Sequence, residues 1–524
     1  MKNIFVLFTA AIALLLSTYL AVNAQPILDN TFSGDGYLLA SPGGNDYARA
    51  VLVQSNGRIL TGGNTYDAGT YYDIHIIRTK PNGAIDNSFG TAGITKIPGG
   101  FLCDMALLPG GKIIVAGNGE GPTGHKNFTV YRLTKNGAID NTFGTGGSVA
   151  VNIPNINMVC FDVVLQPDKK ILLAGYIDDG SWGHHNMIIV RLKANGNPDS
   201  TFATNGMFTF LQNNKSSECN QLALQPDGKI VAAGCIDTLN SVAVFEYDFA
   251  ALRLNANGTL DNTFGEGGVV RADKGDTEIA YAVSVLSDER IVLGGSTDYF
   301  GNARFAALCL LPNGSIDTLF GTDGWSFSDF YGGNAGCYAM VAEPDDDIIM
   351  GGLVYINAGS AIAITKLLSN GSPDNTFGNN GIDTSFYGTA GKACSDIALQ
   401  SDNKIVITGF FYAPGTKRSF LIARYTNSAT FMKPAAVASD FDVNIYPNPT
   451  SGAFVVALSN PLNENTTITI TNLLGQVVYA DKLTSLGNQM SLPIALSTDL
   501  PDGIYFVNII SGEQMVTKQF VKQE

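Results

Sequence analysis

Leu260-Asp261-Asn262-Thr263-Phe264 is one of seven copies of a short pattern, and the intervals between the copies decide the fold. The others are Leu28-Asp29-Asn30-Thr31-Phe32, Ile85-Asp86-Asn87-Ser88-Phe89, Ile139-Asp140-Asn141-Thr142-Phe143, Pro198-Asp199-Ser200-Thr201-Phe202, Ile316-Asp317-Thr318-Leu319-Phe320 and Pro373-Asp374-Asn375-Thr376-Phe377. Successive aspartates stand 57, 54, 59, 62, 56 and 57 residues apart, long for a solenoid repeat and suited to four short strands with their turns. Propeller blades have that size.

Four strands are legible in each unit. Gly268-Val269-Val270-Arg271 exemplifies the first and Leu222-Ala223-Leu224-Gln225 the second. Pro226-Asp227-Gly228-Lys229 then reads as a tight turn, with Asp bonding its own backbone and Gly free to take positive φ, and Ile230 to Gly234 forms the third strand. A loop of variable sequence precedes a fourth strand such as Phe128 to Leu133, after which Asn136-Gly137 turns the chain toward the next aspartate.

A phase argument closes the ring. Eight residues separate a basic residue from the following aspartate in Arg78 and Asp86, Arg132 and Asp140, Arg191 and Asp199, Arg253 and Asp261, and Lys366 and Asp374, whereas Cys309 precedes Asp317. Asp29 lacks an upstream basic residue and Arg424 lacks a downstream aspartate, so the segment from 28 to 40 completes the unit that ends at Arg424. The recurring aspartate is expected to be structural, pairing with arginine or capping a turn. Calcium coordination is the alternative.

Ala-Leu-Gln-Pro-Asp-Gly-Lys-Ile at 223 to 230, Arg253-Leu254, Asn257-Gly258 and Leu260 to Gly265 resemble the delta-60 repeat of bacterial exported proteins, over about residues 28 to 426. That resemblance implies a propeller scaffold and no shared activity. Copies five and six depart from it, since Ser287-Asp288-Glu289-Arg290 and Pro344-Asp345-Asp346-Asp347 lack the turn glycine.

Composition agrees with an all-β chain: 59 Gly, 29 Phe and 20 Tyr accompany only 15% charged residues. With 46 acidic against 31 basic side chains and a net charge of -15, nucleic acid is excluded as a partner. Residues 1 to 24 open with Lys2, run apolar from Ile4 to Leu20 and end Ala21-Val22-Asn23-Ala24, which predicts a signal peptide cleaved before Gln25. The seven cysteines include Cys160, Cys219, Cys337 and Cys394, each six residues before Gln166, Gln225, Glu343 and Gln400. One repeat slot holding small buried residues predicts free thiols rather than disulfides.

The propeller is expected to span 25–426, followed by a linker over 427–439 and a small Ig-like antiparallel β-sandwich over 440–524, where short alternating strands resume. Tyr446-Pro447-Asn448-Pro449-Thr450-Ser451-Gly452, Asn472-Leu473-Leu474-Gly475-Gln476, Gly503-Ile504-Tyr505 and the basic end with Lys518 resemble the C-terminal sorting domain of the type IX (Por) secretion system. The resemblance implies a Gram-negative bacterium of the Bacteroidetes type, passage through the periplasm and outer membrane, recognition by the type IX machinery, and removal of the domain by a sortase, leaving the cargo secreted or on the cell surface.

The stereotyped turns are expected on one face of the ring and the variable loops on the other, where binding is expected. Candidate contacts there are Tyr72, His125, Tyr176, Trp182, His184, His185, Tyr299, Tyr355 and Tyr412, together with Tyr66, Tyr71, Phe300 and Phe411. The histidines show no metal-ligand spacing, so no metal or other cofactor is expected apart from the calcium alternative. No local catalytic motif appears, although carboxylates assembled from different blades would leave none. The leading expectation is a non-enzymatic exported propeller that binds a glycan or protein. The alternatives are a secreted polysaccharide-degrading hydrolase or lyase and a purely structural cell-surface protein.

Overall fold

The computed structural model describes residues 28–66, 72–120, 124–178, 184–211, 215–237, 246–275, 277–298, 303–356, 359–384, 391–427, 443–458, 466–472, 477–483, 491–497, 500–511 and 514–523. Residues 1–24 and all of the 427–439 segment except Asn427 lie outside them. The chain divides into two compact units, Met1–Ala429 and Thr430–Glu524.

The described residues of the first unit form seven antiparallel sheets of four strands. One blade runs Asn45–Val53, Ile59–Tyr66, Asp73–Thr79 and Ile94–Ile97 in both sequence and space. Each blade therefore takes three strands from one repeat copy and its outer strand from the next. At the seam, Tyr37–Ala40 pairs with Ser419–Tyr425, Tyr37 opposite Ala423 and Ala40 opposite Phe420, and fills the place of the fourth strand. The ring closes through its N-terminal strand, and Phe32 is fully buried against Val51, Ile59, Val406 and Ile422 from both sides of the seam.

The innermost strands are Asn45–Val53, Phe101–Leu107, Asn157–Leu165, Ser217–Leu224, Thr277–Val285, Asn334–Ala342 and Gly391–Leu399, and each packs against its two neighbours around the ring. Every one carries a bulge one residue past its small-residue slot, for example between Cys160 and Asp162. The partner strand meets the bulge with glycine: a Cβ on Gly175 would lie 1.8 Å from the Val159 carbonyl oxygen. Cys160, Cys219, Cys337 and Cys394 are buried in the small-residue slot, and all seven thiols are free.

At the turn after the innermost strand of the fourth blade, Gly228 sits at φ +87°, and the Lys229 amide donates to Asp227 Oδ1 at 3.0 Å. Glu289 (φ +68°) and Asp346 (φ +69°) in copies five and six, and also Lys169 (φ +67°) and Asn403 (φ +61°) in copies three and seven, hold the same conformation without glycine, so the loop geometry survives the lost residue at some backbone strain.

The recurring aspartate builds a fixed module. Asp261 Oδ2 accepts from Arg253 Nε at 2.8 Å, while its Oδ1 accepts from the amide and hydroxyl of Thr263 at 3.1 and 2.6 Å. The Arg253 guanidinium lies 4.4 Å from the Phe264 ring centroid and donates to the Pro312 carbonyl in the following copy. Asp86 with Arg78, Asp140 with Arg132 and Asp199 with Arg191 repeat the 2.8 Å contact. Across the seam Asp29 and Arg424 form the same pair, also at 2.8 Å. Lys366 reaches Asp374 at 3.5 Å, and where Cys309 replaces the arginine, Arg290 of the preceding turn reaches Asp317 at 3.4 Å. The hydrogen bonds from Thr263 and Arg253 hold the Asp261 carboxyl below its ordinary range despite burial, and the same pattern, from Ser88 and Arg78, brings Asp86 to about 2.

The second unit contains a three-stranded sheet ordered Val443–Tyr446, Ala453–Leu458, Ser491–Ala495 and a four-stranded sheet ordered Val477–Leu483, Thr466–Asn472, Gly503–Ser511, Gln514–Lys522. Phe454, Val456, Ile468, Ile470, Val507, Ile509 and Phe520 form the core between them.

Candidate functional site

Two features of the ring are candidates. The first is the rim. Tyr72 is exposed, 5.4 Å from the Tyr66 ring and 5.3 Å edge-on to Phe101. It flanks a cleft of about 320 Å³ that also includes Asn118, Glu120 and Lys126. His125 is half-buried in the residue before the Lys126–Leu133 strand. Tyr176 stacks on His185 with centroids 3.8 Å apart, and His185 Nδ1 lies 2.5 Å from Glu218 Oε1 in the next blade. Neighbouring His184 is half-buried, and its Nδ1 has no hydrogen-bond partner among the described residues. Tyr355 is 58% and Tyr412 37% exposed, the latter beneath the Arg418 guanidinium at 5.4 Å. Trp182 and Tyr299 lie outside the described residues, as do Tyr71 and Phe300.

The rim differs from the sequence reading in one respect. Tyr66, Tyr176, His185, Tyr355, Phe411 and Tyr412 belong to strand ends, not loops, because the hairpins continue further than alternation suggested: Tyr66 pairs with Asn45, Asp178 with His185, Tyr355 with Ser360 and Phe411 with Ser419. The structure joins Tyr176 to His185 and Tyr72 to both Tyr66 and Phe101, while Tyr355 and Tyr412 lie on two further blades. Among the described residues, the side-chain groups able to hold a metal are Asp248, Asp273 and Glu278, and Glu343, Asp345 and Asp347. Neither includes a histidine or a recurring aspartate.

The second feature is the central channel, a cavity of about 620 Å³ bounded by the inner strands of all seven blades. Three carboxyls that the sequence reading did not single out project into it: Asp104, Asp162 and Asp396, each just past its strand's bulge. Each accepts a backbone N–H from the next blade, Asp162 from Leu222 and Asp396 from Val51 at 2.7 Å, and Asp104 from Val163 at 3.3 Å. Burial is the main force pushing these groups up. Asp104 reaches about 6, with its hydrogen bond to Asp162 opposing the rise, and Asp396 reaches about 8, with the Asp104 charge adding to it. Burial and the Asp104 charge likewise hold Asp162 well above the carboxylate range. Tyr281 and Tyr338, on the two blades that follow Gln221, form a wall of rings 5.6 Å apart, and burial raises both phenols. The channel therefore offers proton-holding acids on one side and aromatic surface on the other.

Family comparison supplies the identity of the scaffold. The domain of unknown function (DUF5122) beta-propeller model matches residues 54–89, 108–143, 166–202, 225–264, 286–320, 343–377 and 400–429, and the secretion system C-terminal sorting domain model matches 444–523. The chain is a DUF5122 beta-propeller with a secretion-system sorting domain. A sorting domain of this type implies interaction with the type IX secretion machinery and a destination outside the cell or on its surface.

Within that domain, Tyr446 is exposed at a strand end, Asn448 accepts the Val521 amide at 2.9 Å, and the Gly452 carbonyl accepts the Leu496 amide at 2.8 Å. Pro447 and Pro449 flank Asn448 in the connection to the next strand, and Gly503 opens the Gly503–Ser511 strand. Buried Tyr505 donates to the Pro501 carbonyl at 2.7 Å, Lys518 pairs in register with Val507, and Gly475 lies outside the described residues.

No curated protein matches the chain. Among solved structures, PorZ, a surface component of the type-IX secretion system of Porphyromonas gingivalis, is 12% identical with a TM-score of 0.38, covering 93% of this chain and 60% of its own. The chain thus spans about three fifths of PorZ. Polysaccharide lyase Uly1 is 11% identical with a TM-score of 0.42, covering 74% of this chain and 90% of its own. The soluble aldose sugar dehydrogenase of Escherichia coli is 11% identical with a TM-score of 0.34, covering 74% and 99%. None of these likenesses bears on ligand or chemistry here.

Proposed function

We propose that this protein is an exported, non-enzymatic propeller that binds an extracellular glycan or protein through its variable-loop face, after a signal peptide and the sorting domain have carried it through the periplasm and outer membrane of a Gram-negative bacterium of the Bacteroidetes type. A sortase is the proposed partner that removes the sorting domain. The observation that carries the binding role is the rim: exposed Tyr355 and Tyr412 are held at strand ends of the ring and exposed Tyr72 directly before a strand, where rings give contact area at low entropic cost. The opposite face repeats one module in copy after copy and offers no comparable variety.

A polysaccharide-degrading enzyme is the second reading, favoured by the convergence of acids in the channel. Asp104 and Asp162 are, however, in direct hydrogen-bond contact, whereas glycoside hydrolysis needs carboxyls about 5 Å or more apart with substrate between them. A panel of complex glycans and extracellular proteins, screened for binding and turnover with the full chain, tests both. Binding lost in Tyr355→Ala with Tyr412→Ala at unchanged melting temperature is expected. Turnover abolished by a single carboxylate substitution would reverse the ranking, and a silent panel would favour a purely structural surface protein.

A further inference from the structure

The chemistry of the channel is uneven around the ring, and the unevenness does not follow from the fold. The position after the bulge holds Asp104, Asp162, Gln221 and Asp396 in four blades and alanine in three. Gln221 Oε1 accepts the Val283 amide at 2.7 Å, as short as the bonds made by Asp162 and Asp396. An uncharged side chain therefore clips neighbouring blades as well as an acid does. Three acids in one confined space repel each other and cost stability that a neutral acceptor would not, a pattern found where charge serves a ligand. Tyr281 and Tyr338 lie on the blades that follow Gln221, and Tyr338 shares its blade with Ala339. The basic side chain at the lining, Arg49, has its guanidinium 5.0 Å from the centre of the Phe101 ring.

We propose that the central channel binds an organic cation, a ligand bearing a primary ammonium or guanidinium group, with its charge on Asp104, Asp162 and Asp396 and its alkyl part against Tyr281 and Tyr338. The inference rests on the variable-loop face being the binding face, because Tyr47 and Glu218, in the strand halves nearest that face, line the approach to the acids, which sit at or just past the strand midpoints. A low-dielectric channel with one sign of charge concentrates counter-ions, and aromatic faces add cation–π attraction. Sugar hydroxyls would hydrogen-bond to the acids and leave their mutual repulsion in place. A cation removes it.

The empty channel meets that repulsion by holding protons, so an arriving cation displaces them. Facing Asp104 are the carboxyls of Asp162 and Asp396 and the Cys160 thiol, with Cys103 beside it in the chain; Arg49, Glu218 and the Tyr47, Tyr281 and Tyr338 phenols complete the ionisable lining. Since the bound state favours ionised acids, affinity rises with pH through the range from about 6 to about 8 in which Asp104 and Asp396 titrate.

Calorimetry of the full chain with agmatine, at pH 5.5 and pH 8 in buffers of differing ionisation enthalpy, tests this, with glucose and Ca²⁺ as neutral and inorganic arms. The expected result is agmatine binding about tenfold or more tighter at pH 8, with net proton release. Asp396→Asn, which keeps an acceptor for Val51, should weaken agmatine at unchanged melting temperature; should that variant unfold, Tyr281→Ala is the substitute. Binding independent of pH without proton release, no agmatine binding, or binding of Ca²⁺ or glucose in its place would overturn the inference. Panel binding that survives Asp396→Asn and is lost in the Tyr355→Ala and Tyr412→Ala variant would leave the face reading standing while the cation site fell.

Discussion

Asp29→Ala separates a closed ring from an open array, because Asp29 and Arg424 make the repeat module from opposite ends of the propeller. The Arg424 and Asp29 side chains are 5% and 6% exposed, and Lys404 Nζ adds a contact to Asp29 at 3.3 Å. Arg253 and Asp261 provide an internal reference at 6% and 6%, with Lys229 at 3.8 Å. Removing one partner of a buried pair leaves an uncompensated charge, which costs about 3–5 kcal/mol. With roughly 400 residues unfolding at about 2.1 cal/mol/K each, that cost lowers the melting temperature by about 4–6 °C. Calorimetric melting of the full chain should give Asp29→Ala and Asp261→Ala similar losses, and a double-mutant cycle of Asp29→Ala with Arg424→Ala should show strong coupling. In an open array Asp29 would be an exposed terminal residue, worth at most about 0.5 kcal/mol. A melting temperature unchanged in Asp29→Ala but lowered in Asp261→Ala would refute closure through this strand.

Other outcomes follow from the same structure. The acids with raised values, Asp104 and Asp396, bind more protons folded than unfolded, so their contribution is lost as pH rises from about 4 toward 8. Asp86, lowered to about 2, and the module acids like it contribute above about pH 4 and lose that contribution in acid. Thermal stability should therefore peak in mildly acid buffer and fall on both sides, and a maximum above pH 8 would contradict it. Chelator should leave the melting temperature unchanged if the recurring aspartates are committed to arginine; a large drop would restore the calcium alternative. Thiol titration should find at most Cys103 reactive in the native chain and all seven cysteines in denaturant. Deleting residues 28 to 40 should expose the unpaired edge of Ser419–Tyr425 and cause aggregation.

The scaffold was legible because each module is local: Arg253, Asp261, Thr263 and Phe264 lie within 12 residues, so their spacing repeats visibly in the chain. Even closure was readable, since Asp29 and Arg424 each lack the partner the other supplies. The channel acids were less visible. They occupy the slot four residues before Leu108, Gln166 and Gln400, two past the cysteine slot, and the signal was present in that column. Their convergence depends on bulges that turn this slot toward the axis and on ring closure bringing copies two, three and seven together. The rim was misplaced because Tyr176, Tyr355 and Tyr412 sit where strand pairing continues past the conserved-length repeat core, and hairpin length is set by pairing between strands that no single stretch of sequence reveals.

The C-terminal unit is proposed to be the address of an exported propeller. Cell fractionation of the native host with intact-mass measurement tests it, comparing the full chain with a truncation after Ser439. The full chain should appear outside the cell with a mass lacking the C-terminal unit, while the truncated form should be folded and retained in the periplasm. Truncated protein outside the cell at the full-length level would contradict the sorting role and leave the C-terminal unit as a binding module.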